Sequence, residues 1–114
     1  MRHEEDNMQI AAVEWFRLQY PDIAIHHSPN GGKRTPFEAN LFKRMGTRAG
    51  FADLFIICPK KGFHGLFIEM KTRKGTQTDF QKQFEQQVTK EGYLYTICRS
   101  IDDFIQQVES YLND

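Results

Sequence analysis

The sequence predicts an α/β domain with a mixed central sheet flanked by helices. Helix-like and strand-like periodicities alternate along the chain, and no internal repeat, low-complexity segment or linker interrupts them. A length of 114 residues suits one domain rather than two, so residues 1–114 are expected to form a single unit with one core and one site. Hydrophobic content of 39% and charged content of 26% are ordinary for a globular chain and exclude a disordered or collagen-like composition.

Each element follows from local pattern. Residues 5–20 read as a helix, with Met8, Ala11, Ala12, Trp15 and Gln19 recurring on one face until Pro21 stops it. Residues 23–27 form a short extended piece, followed by the turn-forming run Ser28-Pro29-Asn30-Gly31-Gly32. Residues 37–45 give a short second helix that Gly46 closes, and the loop Thr47-Arg48-Ala49-Gly50 leads into a buried strand at 52–57. The turn signal Pro59-Lys60-Lys61-Gly62 joins that strand to another at 65–71, which makes an antiparallel hairpin. Thr78-Asp79-Phe80-Gln81 has the form of a capping box and opens a helix whose core stripe is Phe80, Phe84 and Val88, closed by Gly92. A strand at 93–98 comes next. Ser100 caps a last helix that turns Ile101, Phe104, Ile105, Val108 and Leu112 inward. The expected order is α-β-α-β-β-α-β-α.

No apolar run approaches the roughly 20 residues that span a bilayer, and the N-terminus is acidic at Glu4, Glu5 and Asp6 where a secretory signal is basic. The expectation is an intracellular protein with no membrane association. Cys58 and Cys98 lie in apolar stretches and read as buried thiols rather than a disulfide framework. Net charge is zero but unevenly placed: between Lys33 and Lys74 stand ten basic residues against Glu38, Asp53 and Glu69. Such a surplus makes a face that attracts a polyanion, or is spread over the surface for solubility.

The strand Leu66-Phe67-Ile68-Glu69-Met70-Lys71 is the most informative stretch. Alternation sets Phe67, Glu69 and Lys71 on one face and Leu66, Ile68 and Met70 on the other. A hairpin turn centred near Lys61 then puts Asp53 opposite Glu69, so three ionisable groups share one patch. Two carboxylates in a partly buried site cost several kcal/mol unless a cation or an ion pair compensates; a divalent metal would do so, and oxygen ligands suit Mg2+ or Mn2+ better than zinc. The competing reading makes Glu69 and Lys71 solvent-facing residues of an edge strand and Asp53 a turn residue.

Other positions carry two readings each. Glu14 lies between Ile10 and Leu18 on a helical projection, as a third acid facing the metal or as a solvated glutamate at the helix margin. Gln81 serves the capping box or hydrogen-bonds near the metal site or to phosphate. Asn30, Gly31 and Gly32 present backbone N–H groups to phosphate or form a plain surface turn. His26, His27 and His64 lack zinc-like spacing and read as surface or DNA-proximal, while Phe37, Phe51 and Phe63 lie beside loops where bases are in reach.

These elements together resemble the virus-type replication-repair nuclease domain (VRR-NUC), a branch of the PD-(D/E)XK nuclease superfamily. The similarity runs from about His27 to Leu112. It rests on Ser28-Pro29-Asn30-Gly31-Gly32, the Gly46-x-x-x-Gly50-x-x-Asp53 loop and strand, Ile68-Glu69-x-Lys71, Gln81, and the Gly92-Tyr93 start of the last strand. The family often has proline where this chain has Ala52, a structural rather than a ligating position. The resemblance implies a restriction-endonuclease-like core and a metal held by Asp53, Glu69 and the backbone carbonyl of Met70, with Glu14 contributing directly or through water. It implies that Lys71 orients or helps deprotonate the attacking water and stabilises charge on the phosphate, with Gln81 beside the catalytic group. Ser28, Asn30, Lys33, Arg34, Arg48, Arg73 and Lys74 are the expected nucleic-acid contacts. Stand-alone members of this size, often from phages, look like homodimers acting on four-way (Holliday) junctions in DNA repair and recombination. A bacterial or phage-infected host cell is the corresponding setting. The expected activity is therefore a metal-dependent, structure-selective DNA endonuclease. A less selective flap or duplex nuclease or nickase, and a non-catalytic nucleic-acid-binding module, are the alternatives.

Overall fold

The computed structural model describes residues 2–29 and 35–114. The elements follow the predicted order: α1 (Arg2–Gln19), β1 (Ala24–His27), α2 (Pro36–Arg44), β2 (Leu54–Ile57), β3 (Leu66–Met70), α3 (Asp79–Lys90), β4 (Leu94–Cys98) and α4 (Ile101–Leu112). Side-chain caps fix where the later helices begin. Thr35 with Glu38, and Thr78 with Gln81, close complete capping boxes, and the Ser100 hydroxyl accepts from the Asp103 amide.

The sheet runs β1-β2-β3-β4, with β1, β2 and β3 antiparallel and β4 parallel to β3. A parallel neighbour needs a crossover, and α3 supplies it. Strand β3 is therefore interior, hydrogen-bonded on both sides, which removes the edge-strand reading of Glu69 and Lys71.

The hairpin that sets the β2–β3 register turns at Lys61 (φ 53°) and Gly62 (φ 86°). Two consecutive left-handed residues make the turn whose twist matches the flanking strands. Lys60 pairs with Phe63 across it, whereas the ladder beyond pairs Ile56 with Leu66. Residues 57–59 thus face only 64–65, an extra residue on the β2 arm. Pro59, which has no N–H to lose from the ladder, sits in this bulge.

Two cores follow from the pleat. On one face Leu54, Ile56, Leu66, Ile68, Met70 and Cys98 pack beneath Ala12 and Phe16 of α1 and Phe104, Val108, Tyr111 and Leu112 of α4. On the other, Ala52, Phe67, Phe84 and Val88 pack with Phe51, Phe55, Tyr93 and Tyr95 under α3. This second core is largely aromatic: the Phe55 and Phe67 rings stack at 4.3 Å, and the Phe84 edge meets Phe67 at 5.2 Å. Each fully buried ring contributes about 1.5–3 kcal/mol relative to exposure.

Several expectations about helix faces are corrected. In α1, Ala11 and Gln19 are exposed and Phe16 is buried, because the helix is rotated from the face that the apolar spacing suggested. Phe80 is 59% exposed, since it belongs to the first turn of α3, beyond the sheet face that Phe84 and Val88 cover. Both cysteines are free thiols, Cys98 buried and Cys58 half-buried. Burial, with the Asp103 charge second, pushes the Cys98 thiol up to about 12, so it stays protonated and unreactive. No helix among the described residues is long and apolar enough to cross a membrane.

Candidate active site

Glu69 is the one charged side chain fully buried among the described residues. It stands on the α3 face of β3, next along that face from Phe67. Its Oε1 accepts from the Tyr95 hydroxyl at 2.5 Å and from Gln77 Nε2 at 3.0 Å. Its Oε2 has no hydrogen-bond partner, and Lys71 Nζ stands 3.6 Å away. A buried carboxylate oxygen left without a donor costs several kcal/mol, so the position needs a reason other than stability.

Asp53 immediately precedes β2. The Leu54–Ile68 pairing, extended by one residue, sets it opposite Glu69 on the same face, as the hairpin spacing predicts. Its Oδ2 accepts the Met70 backbone N–H at 2.6 Å. Burial raises the Asp53 carboxyl from 3.8 to about 6; the Met70 N–H opposes the rise, and the Glu5 and Glu69 charges add to it. His27 Nδ1 lies 2.9 Å from the Asp53 carbonyl oxygen and 3.0 Å from Gln9 Nε2. A carbonyl only accepts, so Nδ1 carries the proton in the first contact.

These residues fit a divalent cation. Two carboxylates opposed in register, one with a raised pKa and one whose buried oxygen has the Lys71 ammonium nearby but no hydrogen bond, mark a place that can take further positive charge. Oxygen donors select hard cations. No group of three His, Cys, Asp or Glu side chains among the described residues closes on one point. Such an ion would therefore complete its shell with backbone carbonyls and water, as magnesium commonly does.

The structure does not bring every expected residue here. Lys71 joins Glu69, and Met70 reaches Asp53 through its amide while its side chain is buried in the α1/α4 core. Glu14 is a correction. It is exposed, and it is turned about 200° from the buried Ala12 and Phe16 on either side of it, so it faces away from the sheet with exposed Ile10 and Leu18. The first-helix acid that acts on Asp53 is Glu5, on the stripe Glu5-Gln9-Ala12-Phe16. Gln81 closes the capping box, its Oε1 taking the Thr78 N–H at 2.8 Å, and the glutamine that touches Glu69 is Gln77.

Among the expected nucleic-acid contacts, Ser28 is half-buried and its backbone N–H donates to the Asp53 carbonyl at 3.0 Å. Arg48 is exposed on the loop before Asp53, bonded to Gln87 Oε1 at 2.5 Å with its guanidinium 5.6 Å from the Phe84 ring centre. That loop lies close because Gly50 (φ +81°) has no Cβ; one there would stand 2.4 Å from the Phe80 backbone. Arg73 and Lys74 are exposed just beyond Lys71. Asn30, Lys33 and Arg34, with Gly31 and Gly32, lie outside the described residues.

Three further residues organise the site without having been legible beforehand. Tyr95 and Gln77 hold Glu69, and Arg99 holds the loop after Lys71, its NH1 donating to the carbonyls of Thr72 (2.9 Å), Arg73 (3.4 Å) and Gly75 (2.6 Å). Burial and the Glu69 carboxylate raise the Tyr95 phenol far above its ordinary range, so it remains a donor. The one sequence signal for Tyr95 was its parity on a parallel strand beside β3.

Comparison with known proteins agrees with this arrangement. A family model for the VRR-NUC domain matches residues 2–102. The fold superposes on a solved structure described as a VRR_NUC domain protein with a TM-score of 0.80, at 33% identity, over 95% of this chain and 87% of that one. Among proteins of curated function, none matches. The candidate acids and lysine thus sit in a fold shared with a domain whose members are nucleases of the PD-(D/E)XK type, which generally use divalent metals, and the chain belongs to the VRR-NUC family.

Proposed function

We propose that the chain is a Mg2+- or Mn2+-dependent endodeoxyribonuclease that cuts branched DNA, with four-way junctions as its substrate and a homodimer as its working form. The observation that carries the metal site is the buried Glu69 Oε2, which has no hydrogen bond and only the Lys71 ammonium nearby, on a residue that the register sets opposite Asp53. Asp53 and Glu69 would hold the ion with the Met70 carbonyl, and Glu5, whose charge helps raise the Asp53 carboxyl, would act through water. When bound, the ion lowers the pKa of water and offsets charge on the phosphate.

The chain's own residues supply the rest. Lys71, half-buried and tethered to Glu69, presents ammonium donors that orient the attacking water and neutralise a phosphate oxygen. The water oxygen forms a new bond to phosphorus as the bond to the leaving sugar oxygen breaks. The water loses a proton to solvent, and the sugar oxygen gains one. Arg48, Arg73 and Lys74, on the loops beside Asp53 and Lys71, meet flanking phosphates, together with Ser28 and with Asn30, Lys33 and Arg34. A junction needs paired cuts and each copy offers one site, so two-fold symmetry provides both.

The test compares four-way junction, flap and linear duplex at equal concentration with Mg2+, Mn2+ or EDTA, beside a mass measurement in solution. Preferential, EDTA-sensitive junction cleavage by a dimer supports the proposal. Equal cutting of duplex makes the chain an unselective nuclease, and salt-sensitive binding without turnover makes it a binding module. Unchanged cleavage by both Asp53→Ala and Lys71→Ala would refute the residue assignment.

A further inference from the structure

Glu69 is a glutamate whose terminal torsion has only a broad, two-fold preference, so packing alone does not decide which oxygen faces Asp53. In this fold the choice is made by hydrogen bonds. Tyr95, on β4 beside Phe67, and Gln77, on the loop before α3, both donate to Oε1 and leave Oε2 without a donor. Donors to an ionised carboxylate form the stronger class of hydrogen bond.

Gln77 is itself held. Its Nε2 donates to Glu69 Oε1 at 3.0 Å and to Glu85 Oε1 at 2.8 Å, using both of its protons. Turning the amide over would set its carbonyl oxygen against two carboxylates, so Glu85 fixes which way the group points. Gln81 is not available for this task, because its side-chain oxygen caps α3 on the Thr78 N–H.

We propose that Tyr95 and Gln77, with Glu85 locking Gln77, are positioning residues that clamp Glu69 by Oε1 so that Oε2 alone is presented to the divalent cation and to Lys71. The proposal rests on the metal-site reading above. The clamp sets the direction of a ligand, so its removal weakens the ion's hold beyond whatever stability the lost bond contributed. Hydrogen-bonding partners of metal ligands commonly change affinity or activity by about 10–100-fold when removed.

The test measures Mn2+ binding to the full chain without DNA, following free Mn2+ by electron paramagnetic resonance, in the wild type, Tyr95→Phe, Gln77→Leu and Glu85→Gln. Tyr95→Phe deletes one oxygen and keeps the ring against Phe84. Its dissociation constant for Mn2+ is expected to rise about ten-fold, Gln77→Leu at least as much, and Glu85→Gln less. Metal-free DNA binding should stay as in the wild type, and melting temperature in EDTA should fall only modestly in Tyr95→Phe, where Gln77 still donates to Oε1. Should Gln77→Leu melt well below the others, Tyr95→Phe decides alone. Wild-type affinity in Tyr95→Phe overturns the clamp and leaves the metal site standing; no Mn2+ binding by the wild type overturns both.

Discussion

The Met70 backbone N–H donates to Asp53 Oδ2 at 2.6 Å, so the residue between Glu69 and Lys71 reaches across to the opposing acid. One carboxylate oxygen of Asp53 thereby serves as a strand-pairing partner at the end of the β2–β3 ladder. Structure and candidate chemistry meet in the same group, and substitutions at Asp53 separate them.

Asp53→Asn keeps an acceptor for the Met70 N–H but brings no charge into the desolvated site. Cleavage should fall to background. The folded state raises the carboxyl from 3.8 to about 6, so it binds the proton more tightly than the unfolded chain does. Stability from this group is fully present below the unfolded value and is lost as pH rises through about 6, a cost of about 3 kcal/mol at neutral pH. Without metal, Asp53→Asn should melt above the wild type at pH 7, and the gap should close toward pH 4; thermal unfolding across that range checks it.

The same proton competes with a cation. As pH falls below about 6, the Mn2+ concentration for half-maximal cleavage should climb, approaching roughly ten-fold per unit, the limit for one displaced proton. A flat metal requirement from pH 7 to 5 would argue that Asp53 is not a ligand.

Glu5 and Glu14 give opposite expectations. Removing the Glu5 charge lowers the Asp53 carboxyl pKa, so Glu5→Gln should move the acid limb of the pH–rate profile to lower pH. Glu14→Gln, on the outward face of α1, should change neither the profile nor the metal requirement. The reverse pattern would mean that α1 presents its other face to the substrate complex.

Arg99 ties down three carbonyls of the loop that carries Arg73 and Lys74. Arg99→Gln leaves part-buried acceptors short of donors, at about 1–3 kcal/mol. Limited trypsin digestion should cut after Arg73 or Lys74 sooner than in the wild type, and binding to DNA should weaken.

All eight elements were legible in the sequence, because caps, glycines and periodicity are local signals. So was the facing of Asp53 and Glu69, although the turn lies half a residue beyond Lys61 and it is the bulge at 57–59 that restores the expected pairing. The rotation of α1 was not: Ile10 and Leu18 are apolar yet point outward, 56% and 80% exposed, so spacing alone favoured the wrong stripe and put Glu14 in place of Glu5. The Glu69 clamp was hidden for a different reason. Tyr95 lies 26 residues away on a strand paired only after α3 crosses over, and Gln77 has no periodic neighbour to mark it. Gln81 is readable from sequence because its capping role has a signature, whereas Gln77's contact has none.

The bulge at 57–59 has a bearing on inheritance of the active site. The turn pairs Lys60 with Phe63, and a ladder continued from it residue for residue, with no bulge, would bring Asp53 opposite Met70 instead of Glu69. Every side chain on one arm would then change faces, and Glu69 would lose its partner acid with no acid having mutated. Straightening the bulge with every residue kept is therefore equivalent to losing one of the carboxylates, whereas deleting the surplus residue would leave Asp53 opposite Glu69. The bulge specifies the chemistry as much as the residues that perform it.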